Sequence, residues 1–87
     1  MRVEYFGAAW CPACTVKWPL VDQTCKEFGV ELVRYDLDLD PGAHERAIAL
    51  GLKSVPGVYI SDGDRKVWSG IGGFINRGTL ETFLRKE

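Results

Sequence analysis

Trp10-Cys11-Pro12-Ala13-Cys14 is the stretch that decides the fold, because two cysteines at this spacing close a disulfide across one helical turn. A short apolar strand, Val3 to Phe6, precedes the motif, and the small residues Gly7-Ala8-Ala9 form the turn between them. A helix-compatible stretch follows. A Cys-x-x-Cys motif at a strand-to-helix junction is typical of a redox couple. The sequence therefore predicts a redox-active pair at Cys11 and Cys14.

The composition fits one small domain over residues 1–87, with 46% hydrophobic residues available for a single core. The 11 basic and 12 acidic residues give a net charge of −1, which offers no basic surface to nucleic acid or to an anionic membrane. No apolar run approaches the roughly 20 residues of a membrane span. The N-terminus has no apolar core or cleavage site of a secretory signal. We therefore expect a cytoplasmic monomer.

An amphipathic helix is predicted after the motif, because apolar or thiol residues recur at steps of 4, 3, 4 and 3: Cys14, Trp18, Val21, Cys25 and Phe28. Gly29 ends this helix, and Pro19 inside it predicts a kink. A second strand is expected over residues 30–37, rich in residues that favour strands. Asp40-Pro41 predicts the start of a short second helix.

The C-terminal half predicts a strand over residues 55–60, a hairpin turn over 61–64 and a fourth strand over 66–69 that Gly70 breaks. Asn76 is expected to cap a last helix. The order is therefore β-α-β-α-β-β-α. A helical crossover makes the first two strands parallel, whereas the last two form an antiparallel hairpin. The fold class is α/β, with a four-stranded mixed sheet and three helices on its two faces.

The chain resembles the thioredoxin/glutaredoxin superfamily in four separated features that together span nearly its whole length. The first is the motif with Cys11 and Cys14, and the second is Pro19, eight residues after the first cysteine. The others are the segment over residues 51–56, which resembles the approach to the family's cis-proline, and the stretch from Gly73 through the last helix. The extra N-terminal strand and helix of full-length thioredoxins are missing, so the size resembles that of a glutaredoxin. The resemblance implies a thioredoxin-like fold.

The resemblance also implies the roles of the cysteines. Cys11, at the N-terminus of the helix, would attack a disulfide as a thiolate, because unpaired N–H groups favour negative charge there. Cys14 would resolve the mixed disulfide from a buried position, leaving Cys11 the more accessible of the two. Pro12 suits the first helical position, Ala13 separates the cysteines without adding charge, and Trp10 would shield one side of the sulfur atoms.

The remaining walls of the substrate-binding groove follow from the same resemblance. Val55-Pro56 would be a cis peptide bond, with the Val55 backbone free to pair with an extended client segment. Gly72 and Gly73 would form the third wall, where close approach of a partner requires the absence of a side chain. Two positions depart from the family pattern. Tyr5 stands where thioredoxins bury an aspartate, and we expect it to fill the core, whereas Gly57 after the proline should widen the groove.

A metal site is the alternative interpretation of the cysteines and of an acidic series further along the chain. A zinc site needs four ligands, and only Cys25 and His44 could supplement the pair, but we expect the first in the core and the second on the surface. We therefore expect no metal and no cofactor besides the redox-active disulfide. The acidic series Asp36, Asp38 and Asp40 lacks the pattern of a calcium loop and reads as a solvated edge plus a helix cap.

Three functions remain open at this stage. The first is a general reductant of protein disulfides, recharged by a flavoenzyme of the thioredoxin reductase type. The second is a glutathione-dependent glutaredoxin, which the apolar pair Phe74-Ile75 after the glycines disfavours. The third is a non-catalytic subunit. The partners implied are disulfide-containing client proteins, with ribonucleotide reductase as one candidate, and the expected potential lies nearer to roughly −270 mV than to −120 mV.

Overall fold

The computed structural model describes residues 1–85 and contains the elements in the predicted order. Their bounds are β1 (Arg2–Gly7), α1 (Pro12–Phe28), β2 (Glu31–Asp36), α2 (Ala43–Ala49), β3 (Gly57–Asp62), β4 (Arg65–Ile71), a short 3-10 turn (Gly72–Phe74) and α3 (Arg77–Leu84). Within the described range, no helix is long and apolar enough to cross a membrane. The predicted α/β class is confirmed.

The four strands form one mixed sheet in the order β2-β1-β3-β4. β1 and β2 are parallel, because α1 crosses from the end of one to the start of the other. β3 runs antiparallel to both β1 and β4. The central position of β1 places its C-terminal end, and the cysteines that follow it, between β2 and β3.

α1 begins and ends at the residues that the sequence indicates. Pro12 occupies the start of the helix, where its missing N–H group is not needed. Gly29 ends it in the left-handed region, at φ 66°, and its N–H group bonds to carbonyl groups of the last turn. The helix continues through Pro19 as a single element, and the kink there stays a prediction.

The helices lie on both sides of the sheet, as predicted. α1 and α3 cover one side over the large core, which comprises Val3, Tyr5, Val21, Cys25, Val58, Ile60, Ile75, Leu80 and Leu84. α2 covers the other side over the small core, which comprises Phe6, Ala47 and Leu52. Because side chains alternate along a strand, β1 contributes Val3 and Tyr5 to one side and Glu4 and Phe6 to the other.

The predicted start of α2 at Asp40-Pro41 is wrong. The helix begins at Ala43 after Gly42, whose φ is 82°, and Asp40 does not cap it. Its carboxylate oxygen Oδ2 instead accepts the N–H group of Asp36 at 2.7 Å, which closes the preceding turn. Aspartate competes for nearby backbone groups in this way whenever a turn brings them within reach.

The predicted end of the fourth strand at Gly70 is also wrong, because β4 continues to Ile71. A Cβ atom at Gly70 would lie 2.5 Å from the ring of Trp68, so glycine is required there by packing rather than by a turn. Asn76 caps α3 as predicted, and its side-chain oxygen accepts the N–H group of Thr79 at 3.0 Å.

Candidate redox active site

The two cysteines of the motif lie at the junction of β1 and α1. Cys11 is the N-cap of α1, with extended backbone angles, and Cys14 lies in the first turn. Their sulfur atoms are joined in a disulfide, with the Cα atoms 5.2 Å apart. The Sγ atom of Cys11 also accepts the N–H group of Cys14 at 3.2 Å. The sulfur of Cys11 therefore lies where the unpaired N–H groups of a helix N-terminus favour negative charge.

The expected difference in exposure between the two cysteines is not found. Cys11 is 6% exposed and Cys14 is 5% exposed. The N-cap conformation turns the Cys11 side chain back over the first helical turn, where Ala8 and Val55 pack against the pair. The burial of Cys14 is as predicted, whereas the accessibility of Cys11 in this disulfide state was overestimated.

Trp10 lies on the wall of an open groove of about 710 Å³ beside the disulfide. Its side chain is 65% exposed. The groove runs between Trp10, α2 and the segment before Pro56, and its other lining residues are Leu37, His44, Ala47, Ile48, Gly51, Leu52, Lys53, Ser54 and Val55. Shielding of the sulfur atoms by Trp10 stays a prediction. The groove offers an apolar surface that is continuous with the redox pair through Val55.

A second wall comes from the loop before β3. The Val55–Pro56 peptide bond is cis, the isomer that the resemblance implies, and Pro56 is buried. The N–H group of Gly72 donates to the carbonyl oxygen of Pro56 at 2.9 Å, so the turn after β4 is attached to this loop. Gly73 is exposed, and a Cβ atom there would meet nothing within 4 Å. The turn after β4 is thus joined to the loop whose Val55 packs against the disulfide.

Two expectations about the groove are corrected by side-chain positions. Gly57 is buried, and a Cβ atom there would lie 3.3 Å from Leu52 Cδ1 and from the carbonyl oxygen of Ser54. Its missing side chain therefore relieves crowding inside the protein and does not widen the groove. Ile75 belongs to the large core, so of the apolar pair only Phe74, which is 71% exposed, lies on the surface.

Sequence reasoning missed a polar contact of the site. Tyr5 is buried as expected, but its hydroxyl group also donates to the carbonyl oxygen of Cys14 at 2.9 Å. Burial, opposed by the charge of Arg34, raises the pKa of Tyr5 to about 12. The alternation along β1 indicates that Tyr5 faces α1, but it does not show which backbone atom the hydroxyl group reaches.

The third cysteine and the other potential metal ligands among residues 1–85 do not form a cluster with the redox pair. Cys25 is buried in the large core, and burial, with a smaller contribution from Asp22, raises the pKa of its thiol to about 11. His44 is exposed. Asp36 accepts the N–H groups of Asp38 and Leu39, so this acidic series forms a turn. No group of three or more potential metal ligands occurs in the described part of the chain.

Comparison with known proteins places this geometry in a family. No protein-family model matches the chain. The probable thioredoxin of Methanothermobacter marburgensis is 33% identical over 63 residues, which cover 70% of this chain and 71% of that protein. The thioredoxin of Porphyra purpurea is 30% identical over 83 residues, covering 93% and 74%. The chain belongs to the thioredoxin family.

Longer thioredoxins are also similar to this chain. The chloroplastic thioredoxin M4 of Arabidopsis thaliana is 36% identical over 81 residues, but they make up 41% of that protein and 93% of this chain. The chain thus spans less than half the length of this relative and of the M-type thioredoxin of Pisum sativum, of which 46% is covered. Thioredoxin 1 of Thermosipho africanus superposes with a TM-score of 0.80 at 22% identity, covering 94% of this chain and 89% of that one. This likeness confirms the thioredoxin fold.

Proposed function

We propose that the chain is a thiol–disulfide oxidoreductase that reduces disulfides of client proteins in the cytoplasm. The observation that carries this proposal is the Cys11–Cys14 disulfide at the N-terminus of α1, packed against Val55 of the cis-proline loop. Membership of the thioredoxin family supports it. In this proposal Cys11 is the nucleophile, Cys14 is the resolving cysteine, and their disulfide is the redox group that carries the electrons.

The first step takes place between reduced Cys11 and the client. The Cys11 thiolate attacks one sulfur of the client disulfide, a bond forms between them, and the second client sulfur leaves as a thiolate that takes up a proton. The N–H group of Cys14, which lies 3.2 Å from the Cys11 sulfur in the disulfide state, is positioned to stabilise negative charge there. The product is a mixed disulfide between Cys11 and the client.

The second step releases the client. Cys14, deprotonated to its thiolate, attacks the Cys11 sulfur, the Cys11–Cys14 bond forms, and the bond to the client sulfur breaks. That sulfur leaves as a thiolate and is protonated. The client has then gained two electrons and two protons, and the protein carries the disulfide seen in the structure.

Client binding would use the walls around the disulfide. The Val55 backbone is proposed to pair with an extended client segment, and Gly72 and Gly73 allow close approach on the opposite side. The groove beyond Trp10 favours a client with an apolar side chain near its cysteine, because its lining is mainly apolar. Ribonucleotide reductase is one candidate client, and any exposed protein disulfide of this kind is another.

Electrons are proposed to come from a flavoenzyme of the thioredoxin reductase type. Phe74 follows the glycine wall as an exposed aromatic side chain, so it supplies no anionic partner for the ammonium group of glutathione. The alternatives are recharging by glutathione and a non-catalytic role as a subunit.

A reduction assay on a generic protein disulfide tests the proposal. One sample receives thioredoxin reductase and NADPH, and the other receives glutathione, glutathione reductase and NADPH. We expect turnover only in the first sample. Turnover only in the second would make the protein a glutaredoxin, and turnover in neither would favour the non-catalytic role.

Three variants connect the assay to the proposed residues. Cys11→Ser should abolish turnover, whereas Cys14→Ser should trap a mixed disulfide with the client, detectable by mass spectrometry. Cys25→Ala is the matched control, because it removes a thiol that lies in the large core away from the pair. It should retain turnover, and a loss of turnover in a folded Cys25→Ala protein would contradict the assignment.

A further inference from the structure

Tyr5 makes a side-chain hydrogen bond from the sheet to the backbone of the active-site helix. It is 1% exposed, and its hydroxyl group donates to the carbonyl oxygen of Cys14 at 2.9 Å. Its ring packs against Trp18 with centroids 5.2 Å apart, and Arg34 covers the other ring of that pair at 4.2 Å. Close packing of the tyrosine ring therefore restricts the positions that its hydroxyl group can take.

The side chain of Cys14 lies in the same small space. A Cβ atom at Gly7 would be 3.1 Å from the ring of Tyr5, 3.4 Å from Cys14 Cβ and 3.5 Å from its sulfur. The backbone of β1, the tyrosine ring and the resolving cysteine are thus close neighbours. A contact that fixes the backbone of Cys14 limits its sulfur to the few staggered positions that one side-chain torsion allows.

We propose that Tyr5 is a positioning residue for the resolving step, holding the Cys14 sulfur within reach of Cys11 when no covalent bond joins them. The inference rests on the proposed thiol–disulfide function. In the mixed disulfide, the Cys14 thiolate must attack Cys11 in line with the bond that breaks. The client sulfur then leaves and is protonated, and Tyr5 gains or loses no electron or proton.

The chemistry of the two partners suits this role in both redox states. A backbone carbonyl group only accepts hydrogen bonds, so its partner must remain a donor. Burial raises the pKa of Tyr5 to about 12 against the opposing charge of Arg34, so the hydroxyl group keeps its proton at neutral pH. Opening the disulfide changes neither group, and the contact persists through the reaction cycle.

The test uses 5,5′-dithiobis(2-nitrobenzoate), whose coloured product is released once when Cys11 attacks and once more when Cys14 resolves the mixed disulfide. Stopped-flow absorbance separates the two phases. Tyr5→Phe keeps the ring and removes the hydroxyl group. We expect it to slow the second phase about three- to tenfold, the effect of one hydrogen bond, and to leave the first phase unchanged. An unchanged second phase, or equal slowing of both phases, would overturn the proposal.

Tyr35→Phe is the matched control. It removes another hydroxyl group from the same sheet, one that donates to Glu4 at 3.1 Å on the side of α2. Both phases should match those of the wild type. Slowing of the second phase by Tyr35→Phe as large as that by Tyr5→Phe would indicate a general loss of rigidity and contradict a positioning role.

Two further readouts keep the test decisive. If Tyr5→Phe does not fold, the hydroxyl proton of Tyr5 in the reduced wild type is followed by NMR, and it should be protected from exchange with water. Rapid exchange would contradict the proposal. The reaction with 5,5′-dithiobis(2-nitrobenzoate) does not depend on a reductase. A wild type that shows both phases but no turnover with either thioredoxin reductase or glutathione therefore contradicts the proposed function and leaves the role of Tyr5 standing. A wild type that shows no second phase contradicts both the proposed function and the role of Tyr5, because no resolving step then takes place.

Discussion

The two sides of β1 bury their polar groups in different ways. On the side of α1 and α3, Tyr5 is a neutral donor within the large core, and it bonds to the backbone of α1. On the side of α2, the carboxylate of Glu4 is buried and accepts hydrogen bonds from Arg46 at 2.9 and 3.0 Å and from Tyr35 at 3.1 Å. One side is held mainly by apolar packing, the other by an ion pair beside a small core.

The two sides of the sheet differ in whether apolar packing alone holds their helices in place. Two helices share the large core, so apolar burial holds α1 and the cysteines in place. α2 is a short helix that contributes Ala47 to the small core, where only Phe6 and Leu52 are its buried partners, and the bidentate contact of Arg46 with Glu4 compensates for that limited area. The redox pair is thus attached to the more extensively packed side.

The largest expected effect comes from shortening a side chain of the large core. Leu80→Ala should lower the free energy of unfolding by about 3–5 kcal/mol, because a fully buried leucine is replaced by a cavity. Leu52→Ala, the matched change in the small core, should lower it by about 2–3 kcal/mol. Urea denaturation of both variants measures the difference. Equal losses would show that the two sides contribute alike.

The ion pair should have the next largest effect. Arg46→Gln removes the principal partner of a buried carboxylate, and we expect a loss of about 1–3 kcal/mol at neutral pH. This range allows for the 44% exposure of the Arg46 side chain, since water screens its charge. Lys26→Gln, which breaks the exposed pair with Asp22, should cost less than about 0.5 kcal/mol. A loss for Arg46→Gln no larger than that for Lys26→Gln would contradict the comparison.

Lowering the pH should remove the stabilising contribution of Glu4, which lies on the side of β1 that α2 covers. Burial raises the pKa of Glu4, but the hydrogen bonds and charge of Arg46, with help from Tyr35, outweigh it and hold the pKa below the ordinary 4.5. A carboxyl group with a lowered pKa stabilises the fold above pH 4.5, and that contribution disappears as the pH falls through the folded-state value. In thermal unfolding from pH 7 to 3, the gap between wild type and Glu4→Gln should therefore close. A constant gap would show that Glu4 does not titrate in this way.

The smallest effect should come from the cap of α3. Asn76→Ala removes the acceptor for the N–H group of Thr79 and should cost about 1 kcal/mol, whereas Asn76→Gly should cost only a few tenths. Urea denaturation of both variants measures these losses. The rates of the two phases of the reaction with 5,5′-dithiobis(2-nitrobenzoate) are a second readout. A cap variant that slows those phases would show that the cap of α3 also positions the cysteines.

Much of this fold follows from local patterns. The stripe from Cys14 to Phe28 with Gly29 behind it defines α1, and the asparagine at 76 defines the start of α3, because these features act within a few residues. The redox pair is predictable for the same reason. The start of α2 was not, since the Asp40 carboxylate could serve either a helix or the preceding turn.

Contacts between distant segments set the limit on prediction. The burial of the Glu4 carboxylate depends on its pairing with Arg46, which comes from a helix far along the chain. The hydroxyl group of Tyr5 and the burial of Cys11 likewise depend on how α1 and the Val55 loop meet the end of β1. The type of a residue determines which hydrogen bonds its side chain can form, but tertiary packing determines which partner lies within hydrogen-bond distance.

The large core that supports α1 is completed by Leu80 and Leu84 of α3, the last described helix. This order has a consequence for synthesis on the ribosome, where a chain emerges from its N-terminus at about 5–20 residues per second. Both thiols leave the exit tunnel before the helix that completes their support has been made. Until α3 has emerged, Leu80 and Leu84 cannot complete the core beneath the helix that carries both cysteines.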